Sequence, residues 1–86
     1  MPFVVYVLVS AGLKNTYVGQ TEDVQNRLAL HNSDRVKSTR GRGPWLILHT
    51  EPCATRSEAM EREKWFKSRS GRKKIHELIL ERWPSG

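Results

Sequence analysis

The sequence predicts a small α+β fold: a three-stranded, mainly antiparallel sheet flanked by helices, in the order β-β-α-β-α-α. Three observations carry the prediction. Phe3 to Val9 is a β-branched, aromatic and aliphatic run, the composition of a buried strand. A short polar loop, Ser10 to Asn15 with Gly12 and Asn15, returns it into Thr16-Tyr17-Val18-Gly19-Gln20 and so reads as a hairpin. The second half carries helix signals around one further apolar run, and a three-stranded sheet covered by helices is the economical way to bury all of these.

The remaining elements follow in order. Thr21-Glu22-Asp23 opens a helix with acids where the dipole favours them, and that helix runs to about Asn32. Ser33 to Gly43 is polar, basic and glycine-containing, a loop. Trp45-Leu46-Ile47-Leu48-His49 is the third strand, entered through Pro44. Thr55-x-x-Glu58 is a capping box opening a second helix from about Ser57 to Ser70, and Gly71 is read as its breaker. A third helix with Ile75, Leu78 and Ile79 as its apolar stripe stops before Pro84.

Eighty-six residues make one domain with a small core. Fifteen Lys and Arg stand against 9 Asp and Glu, a net charge of +6, which implies an anionic partner, for which nucleic acid is the commonest choice. Only Lys14 and Arg27 precede position 35. The rest include one cluster at Arg35, Lys37, Arg40 and Arg42 and another at Lys64, Lys67, Arg69, Arg72, Lys73 and Lys74. Lys64 and Arg69 are read as solvated face. A lone Cys53 excludes an internal disulfide, the scattered His31, His49 and His76 make no zinc pattern, and the apolar N-terminus is too short for a membrane span. The expected location is cytoplasmic.

Candidate chemistry comes from spacing. On the second helix Ala59, Glu63 and Phe66 share a face, which sets a carboxylate in an inward stripe. Burying it unpaired costs several kcal/mol or more, so Glu63 requires a cation: Arg, Lys or metal. If the hairpin closes symmetrically, Leu8 lies opposite Tyr17, and Tyr6 and Tyr17 share one side. Gly19, in a strand interior, marks a close approach. Arg27 and His31 are four apart on the first helix, beside the Val24 and Leu28 stripe, at the edge of a groove. Two phenols, an Arg, a His and an inward Glu are a set suited to phosphodiester hydrolysis.

With these residues in place, the chain resembles the GIY-YIG nuclease superfamily, and within it the small stand-alone YhbQ-like proteins. Val4-Val5-Tyr6 and Tyr17-Val18-Gly19 stand at the two signature strands. Arg27 matches the family's helix Arg, His31 the aromatic or His one turn later, and Glu63 the metal-binding Glu. Lys37-Ser38-Thr39-Arg40-Gly41-Arg42-Gly43-Pro44-Trp45 is similar to the stand-alone group's basic loop. Glu61, the competing acid, falls on the opposite helix face. The resemblance covers roughly residues 3 to 80 and implies a single GIY-YIG domain over 1–86.

It further implies hydrolysis of nucleic-acid phosphodiesters, DNA before RNA and in a repair-like setting, with one Mg²⁺ or Mn²⁺ held by Glu63. Tyr17 would be the general base, Tyr6 the residue that positions water or phosphate, Arg27 the charge clamp, and His31 a proton relay or phosphate contact. A phenol near pKa 10 needs adjacent positive charge to act as a base. Lys37, Arg40, Arg42, Lys67, Arg72, Lys73 and Lys74 are the expected nucleic-acid contacts, with structural pairing to Glu63 the alternative for Lys67. Two departures stand out. Val4 replaces the first Gly, and Ile75 lies where many members carry an Asn. With no appended DNA-binding domain, the expected activity is unspecific, structure-selective or dependent on a protein partner. Two alternatives remain open: a nucleic-acid-binding module with weak or no catalysis, and a basic assembly protein that binds RNA through Trp45 and the Arg40–Arg42 loop.

Overall fold

The computed structural model describes residues 3–84. Its elements are β1 (Phe3–Ser10), β2 (Thr16–Thr21), α1 (Val24–Asn32), β3 (Trp45–Cys53), α2 (Arg56–Phe66) and α3 (Arg69–Arg82), in the predicted order. The sheet is antiparallel throughout, with spatial order β2-β1-β3, so β1 is central and β2 forms one open edge.

β1 is buried from Val5 to Ser10 because both its faces are covered. Val5, Val7 and Val9 pack with Val18 against Ala59, Phe66 and Ile75 of α2 and α3. Tyr6 and Leu8 point the other way and pack with Trp45, Tyr17, Val24 and Leu28, under α1. The result is three layers, with α1 on one face of the sheet and the α2–α3 pair on the other. A strand covered on both sides loses the apolar–polar alternation of a half-exposed one, which accounts for the continuous apolar run. Cys53, at the end of β3, and Trp83, beyond α3, both complete the α2–α3 side of the core.

The hairpin closes in the predicted register, Leu8 opposite Tyr17 and Tyr6 opposite Gly19. Ser10 fixes the loop: its Oγ accepts from the backbone N–H groups of Lys14 and Asn15. Along β1 and β3, Val7 pairs with His49 but Leu8 with Ile47, leaving Leu48 as a bulge. One extra residue shifts the parity of the strand. Leu48 therefore joins the α2–α3 core while Ile47 stays on the α1 side.

Several boundaries differ from the sequence expectation. Thr21 closes β2, and the cap of α1 is Asp23, whose side chain accepts from Asn26 N. β3 continues past His49 to Cys53. Thr55 caps α2 by accepting from Glu58 N, but the reciprocal bond of Glu58 lands on Ala54 N, one residue earlier than the standard box. The reading of Gly71 as a helix breaker is overturned. α2 ends at Phe66, Ser68 caps α3, and Gly71 is the third residue of α3. Its missing side chain serves packing: a Cβ there would lie 2.1 Å from the carbonyl oxygen of Trp65 and 2.3 Å from Cα of Phe66. The first turn of α3 rests directly on the backbone of the last turn of α2.

Candidate active site

β1, β2 and α1 bring four of the predicted residues together on the α1 face. The Tyr6 and Tyr17 rings lie 6.1 Å apart between centroids, and the His31 ring sits 4.7 Å from Tyr17 and 5.8 Å from Tyr6. They meet over Gly19, where a Cβ would come within 2.6 Å of the Tyr6 hydroxyl. The close approach read from this glycine is therefore the tyrosine pair itself, folded down onto bare backbone.

His31 is fully buried, which corrects its placement at an open groove edge; a direct phosphate contact is closed to it. Instead it links two hydroxyls. Nε2 lies 2.9 Å from Tyr6 Oη and Nδ1 lies 2.8 Å from Thr39 Oγ1. Thr39 donates its own proton to the carbonyl of Val36 at 3.3 Å. With that hydrogen taken, Thr39 accepts from His31 Nδ1–H, which leaves Nε2 to accept from the Tyr6 hydroxyl. This is the one ordering in which every donor in the chain has a partner. Burial and the nearby Arg27 charge both push the His31 pKa down, which keeps the ring neutral. Burial raises the Tyr6 pKa above its ordinary 10.0 despite the opposing pull of Arg27, so Tyr6 stays a phenol.

Arg27 reaches this cluster from α1. Its hydrogen-bonding pull on the Tyr6 hydroxyl and, less strongly, its charge oppose the effect of burial there. Its Nε is buried without a partner. An arginine beside the Tyr6 phenol with one donor not spent within the protein suits an anion site.

Glu63 lies on the other face of the sheet. Gln20, two residues beyond Val18 and so on the α2 side of β2, donates to its Oε1 at 3.1 Å, and Lys67 Nζ lies 2.8 Å from its Oε2. The inward placement is corrected in degree: the side chain keeps 23% exposure, and the cation it requires is Lys67, four residues on. Its charge still reaches Tyr6, adding to the upward push on the phenol. The two halves of the site thus face each other around the open edge of β2.

Glu63 fits a hard divalent cation that keeps most of its own water. It offers one oxygen donor group, partly open to solvent, and no cluster of three or more His, Cys, Asp or Glu is formed among the described residues.

Of the other predicted contacts, Lys37, Arg40 and Arg42 are exposed on the loop that carries Thr39, which includes a short 3-10 turn at Lys37–Thr39. Asp34 ties that loop: its Oδ1 accepts from Gly41 N and its carbonyl from Arg40 Nε. Arg72 is exposed and lines a groove with Tyr17 and Lys67. Lys73 and Lys74 are exposed on α3 but line neither that groove nor the one at Glu63. Trp45 is 2% exposed, with its indole N–H directed at the carbonyl of Thr39. It cannot stack on a base, which removes the RNA-binding reading that relied on it.

Three residues were missed by sequence reasoning. Gln20 was legible from the period-2 alternation that places it with Val18. Asn32 staples α1 to β3 through both the N–H and the carbonyl of Trp45, and Thr39 orients His31. Neither leaves a periodic signal, because both act across an irregular loop. Thr39→Val keeps the shape but leaves His31 Nδ1–H buried without an acceptor. The expected loss is about 1–3 kcal/mol, read as a lower midpoint in urea with an unchanged slope.

The chain is similar to known proteins over nearly all of this framework. Residues 2–76 match the GIY-YIG catalytic domain. A UPF0213 protein of Natronomonas pharaonis is 44% identical over 71 residues, covering 81% of this chain and 82% of its own length. One from Bacillus pumilus is 41% identical over 81 residues, covering 90% and 82%. One from Halobacterium salinarum is 51% identical over 55 residues, covering 63% and 71%. The solution NMR structure of the UPF0213 protein BH0048 from Bacillus halodurans has a TM-score of 0.54 at 37% identity, covering 98% of this chain and 89% of that one.

Proposed function

The chain belongs to the GIY-YIG catalytic-domain family, and on that premise we propose that it is a metal-dependent endonuclease hydrolysing nucleic-acid phosphodiester bonds, most naturally DNA in a repair setting. The observation that supports this best is the buried, unpartnered Arg27 Nε beside the Tyr6–Tyr17–His31 cluster. A structural arginine would have its donors satisfied; this one keeps a donor unspent, which a small side-chain shift would turn to a phosphoryl oxygen.

The roles follow from the environments. Tyr17, half-buried at the groove, takes the proton of the attacking water, directly or through a second water. Tyr6, held as a phenol and donating to His31, keeps only oxygen lone pairs, which accept from the attacking water and so orient it. His31, neutral with Nε2 turned to Tyr6, takes the phenol's proton if Tyr6 gains one and returns it to Tyr6 afterwards. Arg27 neutralises charge growing on the phosphoryl oxygens. Glu63 would hold the divalent cation, Mg²⁺ or Mn²⁺, which when bound supplies charge neutralisation at the phosphate and leaving oxygen. Lys37, Arg40, Arg42, Lys67 and Arg72 supply phosphate contacts. Lys73 and Lys74 add long-range attraction, and a protein partner would supply sequence selection. No helix of the described residues is long and apolar enough to cross a membrane. The lone buried Cys53 accords with a reducing, cytoplasmic setting.

The Lys67–Glu63 pair favours a second reading, a binding module with little catalysis, because the carboxylate is already satisfied without metal. One experiment separates the two. Labelled single-stranded, duplex and branched DNA are incubated with Mg²⁺, Mn²⁺ or EDTA and wild type, Tyr17→Phe or Glu63→Ala. Metal-dependent cutting is expected from wild type, falling by a factor of at least about 10² in each variant. Binding by all three proteins with no cutting by wild type would replace the nuclease with the binding module.

A further inference from the structure

The open edge of β2 carries a continuous groove that the hydrolytic site does not use up. It starts at Glu63, where Gln20, Lys64 and Lys67 form its end. Lys67 also belongs to the next stretch, which runs between β2 and the α2–α3 corner past Tyr17 to Arg72. Arg72, Thr16 and Ile75 are shared with the last stretch, which ends at Lys14 and His76 beside the hairpin loop. Along residues 16–20 this is about 15 Å of strand edge, with Lys14 beyond it on the hairpin loop. Beyond Glu63 none of the lining residues is acidic.

Two properties of this trough bear on its occupant. Its rim is cationic, with Lys14, Lys67 and Arg72 all exposed. Its apolar floor is open at Leu13 and Ile79, toward the hairpin loop, while Val18, Phe66 and Ile75 beneath it are closed into the core. A duplex presents phosphates outward and keeps its base faces stacked inside, so it satisfies the rim and leaves the floor empty. A single strand offers both at once: phosphates for the rim, and base faces for the floor and the half-open Tyr17 ring.

We propose that this trough is a single-strand track that seats an unpaired nucleic-acid tail running from the Tyr17–Glu63 edge toward the hairpin loop. The proposal rests on the nuclease reading for its orientation. It makes the preferred substrate one with an unpaired segment next to the cleaved bond.

The test is a binding measurement in EDTA, which is independent of cleavage. Fluorescein-labelled 12-nucleotide DNA, single-stranded or as a blunt duplex, is titrated with wild type, Arg72→Glu, Lys14→Glu and Lys74→Glu over a range of salt. Lys74→Glu makes the same charge change on the same helix outside the trough. Wild type is expected to favour the single strand. Arg72→Glu and Lys14→Glu should each weaken single-strand binding roughly tenfold and lower its salt slope by about 0.7. Lys74→Glu should weaken it clearly less. Equal losses in all three variants, or equal losses for strand and duplex, overturn the track in favour of general attraction. Displacement of the strand by a short oligoglutamate peptide, with no strand-over-duplex preference, assigns the groove to an acidic protein segment instead. Melting temperatures check that each variant is folded, and Arg72→Gln and Lys14→Gln replace any that is not. A wild type that binds as expected yet cuts nothing leaves the track standing and removes only the nuclease reading.

Discussion

Gly71→Ala should cost this protein more stability than any other exchange of similar size. In an ordinary helix interior the change is a gain of about 1 kcal/mol, since alanine restricts the unfolded chain and glycine does not. Here the sign reverses. The added methyl would stand 2.1 Å from the Trp65 carbonyl oxygen and 2.6 Å from the carbonyl carbon of Phe66, both backbone atoms that cannot rotate away. The α2–α3 corner has to open, and Phe66 and Ile75, both in the core, separate with it. Overpacking typically costs 1–3 kcal/mol where side chains can yield, so a backbone clash is expected to exceed about 3 kcal/mol. Against a total of order 5–10 kcal/mol for a domain of 86 residues, that leaves a marginal fold. The urea midpoint of Gly71→Ala should fall by a third or more. A midpoint at or above wild type would mean that α3 does not rest on α2 as described.

Gly19→Ala should separate chemistry from folding. Its Cβ would meet the Tyr6 hydroxyl at 2.6 Å, the ring carbon that bears it at 2.7 Å and the Tyr17 ring at 3.0 Å. These are ring ends, so the sheet survives and the tyrosines are lifted, at about 1–3 kcal/mol. Lifting Tyr6 breaks its 2.9 Å bond to His31 and moves both phenols relative to Arg27. A displacement of about 1 Å among catalytic groups costs on the order of 10² in rate, so cleavage should drop by that factor while affinity for nucleic acid changes little. Gly12→Ala is the control, because nothing lies within 4 Å of its added methyl. Equal cleavage by Gly19→Ala and wild type would remove the tyrosine pair from the chemistry.

The hairpin shows how far local reasoning reaches. A symmetric turn at Ser10–Asn15 sets the register, and period-2 alternation then places Tyr6 and Tyr17 on one face with no tertiary information. Helix spacing likewise finds Arg27 and His31 on one side of α1, and Lys67 within reach of Glu63. What spacing does not give is depth. His31 and Trp45 look equally available for ligand in the sequence, yet both are buried, because the 33–43 loop folds over the α1 face and supplies the hydroxyl and carbonyl that make their burial tolerable.

The sequence by itself determined the element order, the antiparallel hairpin, the basic character of the second half and the identity of the residues that meet at the edge of β2. Those depend on composition, period and turn chemistry, which act over a few residues. Only the tertiary structure decided that Gly71 is a packing surface instead of a stop and that His31 is buried between the hydroxyls of Tyr6 and Thr39. It alone placed Glu63 across the sheet edge from the tyrosines and joined Lys14, Lys67 and Arg72 into one trough. The physical reason is the same in each case. These properties arise where two elements distant in sequence approach to within van der Waals or hydrogen-bond distance, and no local pattern encodes what the far partner brings.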